Sequence, residues 1–67
     1  MASLSKETDF FILLLEEYAY CRKMNGNELL KVLKEKDMID YIYAMYGQYH
    51  IEALIHAFND LDEKLGW

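Results

Sequence analysis

The sequence predicts an all-α protein, a compact bundle of three to four helices that forms one domain over residues 1–67. Three observations predict this fold. The chain has no proline, and its glycines are Gly26, Gly47 and Gly66, so few positions interrupt a helix. Apolar residues recur at helical spacing along the whole chain, whereas strand-like alternation never lasts. A chain of 67 residues also has room for only one domain.

The first predicted helix covers residues 5–23 and carries a broad apolar belt. Four apolar side chains share one face at i, i+3, i+4 and i+7, namely Phe11, Leu14, Leu15 and Tyr18. Phe10, Leu13 and Cys21 widen this face, and Ile12 reaches toward the other side. A belt of this width predicts that the helix is buried on more than one side.

The start of the second helix is the clearest local signal in the chain. Asn25 and Glu28 have the spacing of a capping box, in which each side chain accepts a hydrogen bond from the other residue's backbone N–H. A helix of about ten residues is expected to follow, and Asp37 is expected to cap a third helix over residues 38–46. The side chains predicted to face inward here are Leu29, Leu30, Leu33, Met38, Ile39, Ile42, Met45, Tyr46 and Tyr49.

The last predicted helix covers residues 51–65. Its apolar stripe consists of Leu54, Ile55, Phe58, Leu61 and Leu65. Gly66 occupies the position where a left-handed C-terminal cap belongs, and Trp67 can then fold back on the last turn.

The composition favours a protein partner over nucleic acid. Acidic residues outnumber basic ones by 12 to 7, the net charge is −5, and Lys64 is the only Lys or Arg after Lys36. Nucleic-acid affinity needs clustered Lys and Arg, whereas an acidic surface suits a basic protein. With 54% apolar residues, a chain this short cannot hide all of its apolar surface. We therefore expect a protein partner or self-association, with a twofold homodimer through the first helix as the favoured form.

The chain shows no segment for export or membrane insertion. Its longest apolar run, residues 10–15, is shorter than the roughly 7–15 residues of a signal-peptide core and the roughly 20 of a membrane span. The single cysteine, Cys21, rules out a disulfide within the chain and fits a reducing compartment. These features predict a cytoplasmic protein without membrane contact.

The residues that could carry chemistry have simpler explanations. Glu52, His56 and Asp60 share one helical face, but a zinc site typically has a cysteine or histidine majority among its ligands, so a row of exposed helix pairs is favoured. Cys21 with a histidine could form a nucleophile and base, but nothing nearby in the sequence supplies an oxyanion hole or a third group, and we interpret Cys21 as a small buried hydrophobe. We therefore expect no cofactor, no metal and no catalytic role for Cys21, His50 or His56.

The tyrosines are the most informative feature for binding. Tyr41 and Tyr43 cannot both share the core-facing side with Tyr46 and Tyr49. Tyrosine is enriched at protein interfaces, but ordinary partial burial in a small bundle explains these two residues equally well. Six residues are predicted to contact a partner, namely Tyr41, Tyr43, Asp60, Asp62, Glu63 and Trp67.

Five short motifs occur in order along nearly the whole chain. They are residues 11–19 (ending Leu-Leu-Glu-Glu-Tyr-Ala), Asn25-Gly26 before Glu28, Ile39-Asp40-Tyr41-Ile42, Tyr46 with His50, and Asp60-Leu61-Asp62-Glu63. This set resembles a family of short bacterial proteins, the domain of unknown function 3791. The family usually continues from the histidine with Thr and Gly, where this chain has Ile51-Glu52-Ala53. A function carried by that segment would be altered here.

The resemblance implies an accessory role. Members of the family resemble companions of neighbouring genes, some of which are similar to ADP-ribosyltransferase-type toxins, and this implies an antitoxin-like function. The leading hypothesis is a non-catalytic protein-interaction module. One alternative is an acidic inhibitor that mimics nucleic acid, which would need carboxylates spaced like phosphates along one face. Another is a small metal-binding protein or enzyme.

Overall fold

The computed structural model describes residues 5–67, and within them the chain forms five helices. These are α1 (Lys6–Cys21), α2 (Gly26–Glu35), α3 (Ile39–Ala44), α4 (Tyr46–Tyr49) and α5 (Leu54–Leu65). The predicted all-α fold is confirmed over this range, and residues 1–4 of the predicted domain lie outside it. The helix count exceeds the prediction because α3 ends where the backbone turns at Met45 (φ −85°, ψ 1°), and a separate short helix, α4, runs from the end of the third predicted helix into the segment before the last one.

Side-chain hydrogen bonds cap the N-termini of the first two helices. The Ser5 hydroxyl accepts a 3.1 Å hydrogen bond from the Thr8 backbone N–H, which satisfies one of the donors left free at the start of α1. At α2 the predicted capping box is confirmed. The Glu28 backbone N–H donates to the Asn25 side chain over 2.8 Å, and the Asn25 backbone N–H donates to the Glu28 carboxylate over 3.3 Å.

The ends of α1 and α2 correct two predictions, because each helix is followed by a residue with left-handed backbone. Lys23 (φ 58°) stops α1, so the helix ends two residues before the predicted limit. Asp37 (φ 56°) likewise terminates α2, and the next N–H, of Met38, donates to the Leu33 carbonyl over 2.8 Å. This is the hydrogen bond of a Schellman motif. Asp37 therefore ends a helix and does not cap α3, which has no side-chain cap.

The end of α5 follows the prediction. Gly66 has a left-handed backbone (φ 75°), and the Trp67 N–H donates to the Asp62 carbonyl over 2.8 Å. The start of α5 is later than predicted. Ala53 has an extended backbone (φ −65°, ψ 144°) and no side-chain oxygen to cap a helix, so the helix begins at Leu54.

The core gathers side chains from all five helices. Its buried residues are Phe11, Leu14, Tyr18, Ala19, Leu29, Leu33, Ile42, Tyr49, Ala57, Leu61 and Leu65. The predicted α5 stripe was wrong at Ile55, which is 56% exposed. Ala57 takes its place, because residues 54, 57, 58, 61 and 65 follow one helical face and residue 55 is turned about 100° away.

Burial of α1 on more than one side was also a wrong prediction. Ile12 is 39% exposed and Leu13 46% exposed, while Phe11, Leu14 and Tyr18 on the opposite side are buried. Cys21, expected to be a buried hydrophobe, is exposed at the end of this helix. The neighbouring helices cover only one side of α1, so its outer side remains open to solvent.

Candidate protein-interaction surface

Asp60, a predicted partner-binding residue, joins α5 to the tyrosines of α3 and α4. Its Oδ2 atom accepts hydrogen bonds from the Tyr41 hydroxyl at 2.6 Å and from the Tyr49 hydroxyl, and Lys64 Nζ lies 3.8 Å from Oδ1. The Tyr41 and Tyr49 hydrogen bonds lower the pKa of the Asp60 carboxyl, because they favour its charged form. Asp60 and Tyr41 are therefore engaged within the fold.

Asp62 makes the corresponding connection between α5 and α1. Its Oδ1 atom accepts a hydrogen bond from the Tyr18 hydroxyl and lies 3.6 Å from Arg22 Nη1. Burial raises the pKa of Tyr18, and the hydrogen bond to Asp62 raises it further. Asp60 and Asp62 lie on either side of the buried Leu61, and these two carboxylates together accept three tyrosine hydrogen bonds that hold α5 in place.

Trp67 covers the end of this arrangement. Its ring stacks on Tyr18 with the centroids 6.0 Å apart and the planes 15° from parallel. The Arg22 guanidinium lies 5.2 Å from the Trp67 ring centroid, within the range of a cation–π contact. Trp67 is still 39% exposed, so part of the residue remains in contact with solvent.

The other two predicted residues differ in exposure. Tyr43 is half-buried, and its hydroxyl donates to Thr8 Oγ1 over 3.2 Å. Its ring centroid lies 5.1 Å from that of Phe11. Glu63 is exposed on α5. Contact of these six predicted residues with a partner stays a prediction, although all of them except Glu63 already make side-chain contacts within the fold.

A group of exposed side chains lies along one side of α1. At 3.6 residues per turn, six side chains fall within about 140° of the helix circumference. This group is called the outer face of α1 and consists of Asp9, Ile12, Leu13, Glu16, Glu17 and Tyr20. All six are exposed, and Tyr20 reaches 82%. Tyr20 was not identified from the sequence alone as a residue of this face. The available signal was its position eight residues after Ile12, which places both residues on one side of a helix.

Two further apolar side chains are exposed elsewhere. Ile51 (74% exposed) lies in the turn between α4 and α5, within the segment where this chain departs from the Thr-Gly pattern, and Ile55 follows it at the start of α5. His50, just before this turn, stacks on the Tyr46 ring at 4.4 Å, and its Nδ1 lies 2.6 Å from the Tyr46 carbonyl oxygen. The Tyr46–His50 motif thus holds the end of α4.

The residues considered for catalysis or metal binding do not come together in one site. His56 Nδ1 lies 3.8 Å from Glu52 Oε2, as expected for an exposed pair, whereas Asp60 is turned toward its tyrosines. Within residues 5–67, no three His, Cys, Asp or Glu side chains converge in a way that could hold a metal ion. None of the helices in this range combines the length and apolar character needed to cross a membrane.

Fold and surface together define a small all-α protein whose last helix is held by phenol–carboxylate contacts and whose first helix leaves an apolar, acidic face uncovered. The chain belongs to the family described as "Protein of unknown function (DUF3791)", which matches residues 9–65. The resemblance inferred from the ordered motifs is thereby confirmed. No curated protein and no solved structure matches the sequence.

Proposed function

We propose that this chain is a cytoplasmic, non-catalytic protein-interaction module that acts as an accessory or antitoxin-like partner of a neighbouring gene product. One observation carries the proposal: the outer face of α1 exposes three large apolar side chains of a small acidic domain. Single exposed apolar residues are ordinary, but several large ones on one face of one helix favour an interaction site. Covering Ile12, Leu13 and Tyr20 on association would contribute hydrophobic free energy that the folded chain alone does not gain.

The hydrogen bonding of the buried polar groups also supports this proposal. Among the described residues, no buried side-chain nitrogen or oxygen lacks a hydrogen-bond partner. The exposed apolar side chains therefore lie outside a core whose polar groups are already paired. These exposed side chains are not needed to complete the core, so they are available to bind another protein.

A protein partner is favoured over the nucleic-acid-mimic alternative by the way the carboxylates are distributed. Mimicry would require a row of free acidic groups spaced like phosphates. Two acidic residues of α5, Asp60 and Asp62, instead accept hydrogen bonds from tyrosines. Those on the outer face of α1 alternate with apolar side chains, which suit a protein surface better than an electrostatic decoy.

The proposal is tested by expressing the neighbouring gene product alone and together with this chain. We expect the two proteins to elute as one stoichiometric complex in size-exclusion chromatography with light scattering. If the neighbour is toxic, we expect growth to be restored by co-expression. Variants Cys21→Ala, His50→Ala and His56→Ala serve as matched controls, because a non-catalytic module should retain both properties without these groups.

Two results would contradict the proposal. One is rescue that depends on any of the three control residues without formation of a complex, which would indicate catalysis. The other is a monomeric mass together with no stoichiometric partner from the native cell. A homodimer, the form of self-association expected from the sequence, appears in the same light-scattering measurement as twice the 8.0 kDa chain mass.

A further inference from the structure

We infer that the outer face of α1 binds an amphipathic helix of another protein, one whose apolar stripe is flanked by Lys and Arg. This inference rests on the proposed function, because it names the surface and the class of partner. An apolar helix seated in a complementary face is a recurrent mode of recognition, with anchors spaced at i, i+3, i+4 and i+7.

The dimensions of the face suit such a helix. Asp9 and Tyr20 are eleven residues apart, which corresponds to about 16 Å along the helix axis. Ile12 and Leu13 lie side by side near the start of the face, and this pair is called the apolar centre. Tyr20 supplies a large aromatic anchor at the end of the face. Glu16 and Glu17 lie between them. Three turns of a partner helix would cover this length.

The charges of the face specify the partner's flanks. Three carboxylates lie on it, and the one lysine on this side of α1, Lys6, lies in the first turn of the helix. The ion pairs within residues 5–67 are Arg22–Asp62, His56–Glu52 and Lys64–Asp60, so they involve other carboxylates. A partner carrying Lys or Arg beside its apolar stripe would pair with Asp9, Glu16 and Glu17 while covering the apolar centre.

A second copy of the chain fits this face poorly. In a twofold antiparallel contact centred between residues 14 and 15, Glu16 would face Leu13 and Glu17 would face Ile12. A register that instead pairs Ile12 with Leu13 brings Asp9 of each copy against Glu16 of the other. Like charges or buried carboxylates oppose both arrangements, because neither places a cation directly opposite Glu16 or Glu17.

The test uses three synthetic 18-residue helical peptides as probes. The first has a leucine stripe flanked by lysines, the second has the same stripe flanked by glutamates, and the third has lysine flanks with serine in the stripe. Binding to the 15N-labelled full chain is followed by amide chemical shifts. We expect the first peptide to shift the resonances of the outer face of α1, with affinity that falls as salt rises, and the other two to bind at least roughly tenfold more weakly.

Variants make the test specific. The double change Glu16→Lys with Glu17→Lys is expected to weaken the lysine-flanked peptide by roughly tenfold or more and to create binding of the glutamate-flanked peptide. Glu35→Lys, a single charge reversal on the exposed end of α2, is the control for charge changed elsewhere and should alter either affinity by less than about twofold. Circular dichroism verifies that both variants remain helical.

Three outcomes would overturn the inference. They are shifts centred on Ile51 and Ile55, equal binding of the lysine- and glutamate-flanked peptides, and concentration-dependent shifts of the outer face without peptide, which would identify a second copy as its occupant. The proposed function is judged separately. If the Glu16→Lys, Glu17→Lys variant still forms the stoichiometric complex with the neighbouring gene product, the function stands and the location of the surface is wrong.

Discussion

Replacing Asp60 by alanine should remove one of the two α5 carboxylates that accept hydrogen bonds from tyrosines of other helices. Tyr49 is only 2% exposed, so the change leaves a buried hydroxyl without its acceptor, which costs about 1–3 kcal/mol. The bond from the half-buried Tyr41 contributes less, because water can replace the carboxylate there. Alanine recovers up to about 0.7 kcal/mol of helix propensity. We expect a net loss of about 2 kcal/mol in the free energy of unfolding.

Urea denaturation followed by circular dichroism measures this loss, and a domain of this size should also lose about 8–16 °C in Tm. Glu63→Ala is the matched control, since Glu63 is exposed on the same helix and its removal should change stability by less than about 0.5 kcal/mol. In the Asp60→Ala background, a further Tyr49→Phe change should cost less than in the wild-type chain, because the phenol has already lost its carboxylate acceptor. Equal stability of Asp60→Ala and Glu63→Ala would refute the argument that this hydrogen-bonded carboxylate stabilises the fold.

The remaining predictions concern pH, backbone conformation, capping and accessibility. The pKa of Asp60 is lower in the folded chain than its ordinary 3.8, so its stabilising contribution is present above that pH and lost as pH falls below it; the profile of Asp60→Asn should be flatter there in acid denaturation. Gly66→Ala should lower the free energy of unfolding by about 1 kcal/mol, because Gly66 has a positive φ. Gly47→Ala leaves open space around the new methyl group and should raise the free energy of unfolding by about 0.5–1 kcal/mol in urea melts. A change of the same sign in both variants would contradict the assigned backbone. Asn25→Ala should cost about 1 kcal/mol, and no loss in thermal unfolding would mean that the capping box contributes nothing. Cys21 should react with a maleimide at a rate close to that in denaturant, and strong protection in the folded chain would place it in the core after all.

The features that could be predicted from the sequence act within one or two helical turns. The capping box of Asn25 and Glu28 needs only residues three apart, and the left-handed Gly66 needs only its local backbone. The all-α fold follows from apolar spacing without proline. Local rules were insufficient at Asp37, since an aspartate at a helix boundary is compatible both with capping the next helix and with ending the previous one.

Tertiary structure decided which polar and apolar side chains were used within the fold. The sequence alone indicates that Asp60 and Asp62 are surface charges. In the structure, Asp60 accepts hydrogen bonds from tyrosines 11 and 19 positions away along the chain, and Asp62 accepts one from a tyrosine 44 positions away. The apolar side chains on the outer face of α1 are exposed, because periodicity defines a helical face but not the neighbour that covers it. That choice depends on how helices distant in sequence pack together, which here leaves Ile12, Leu13 and Tyr20 in contact with solvent.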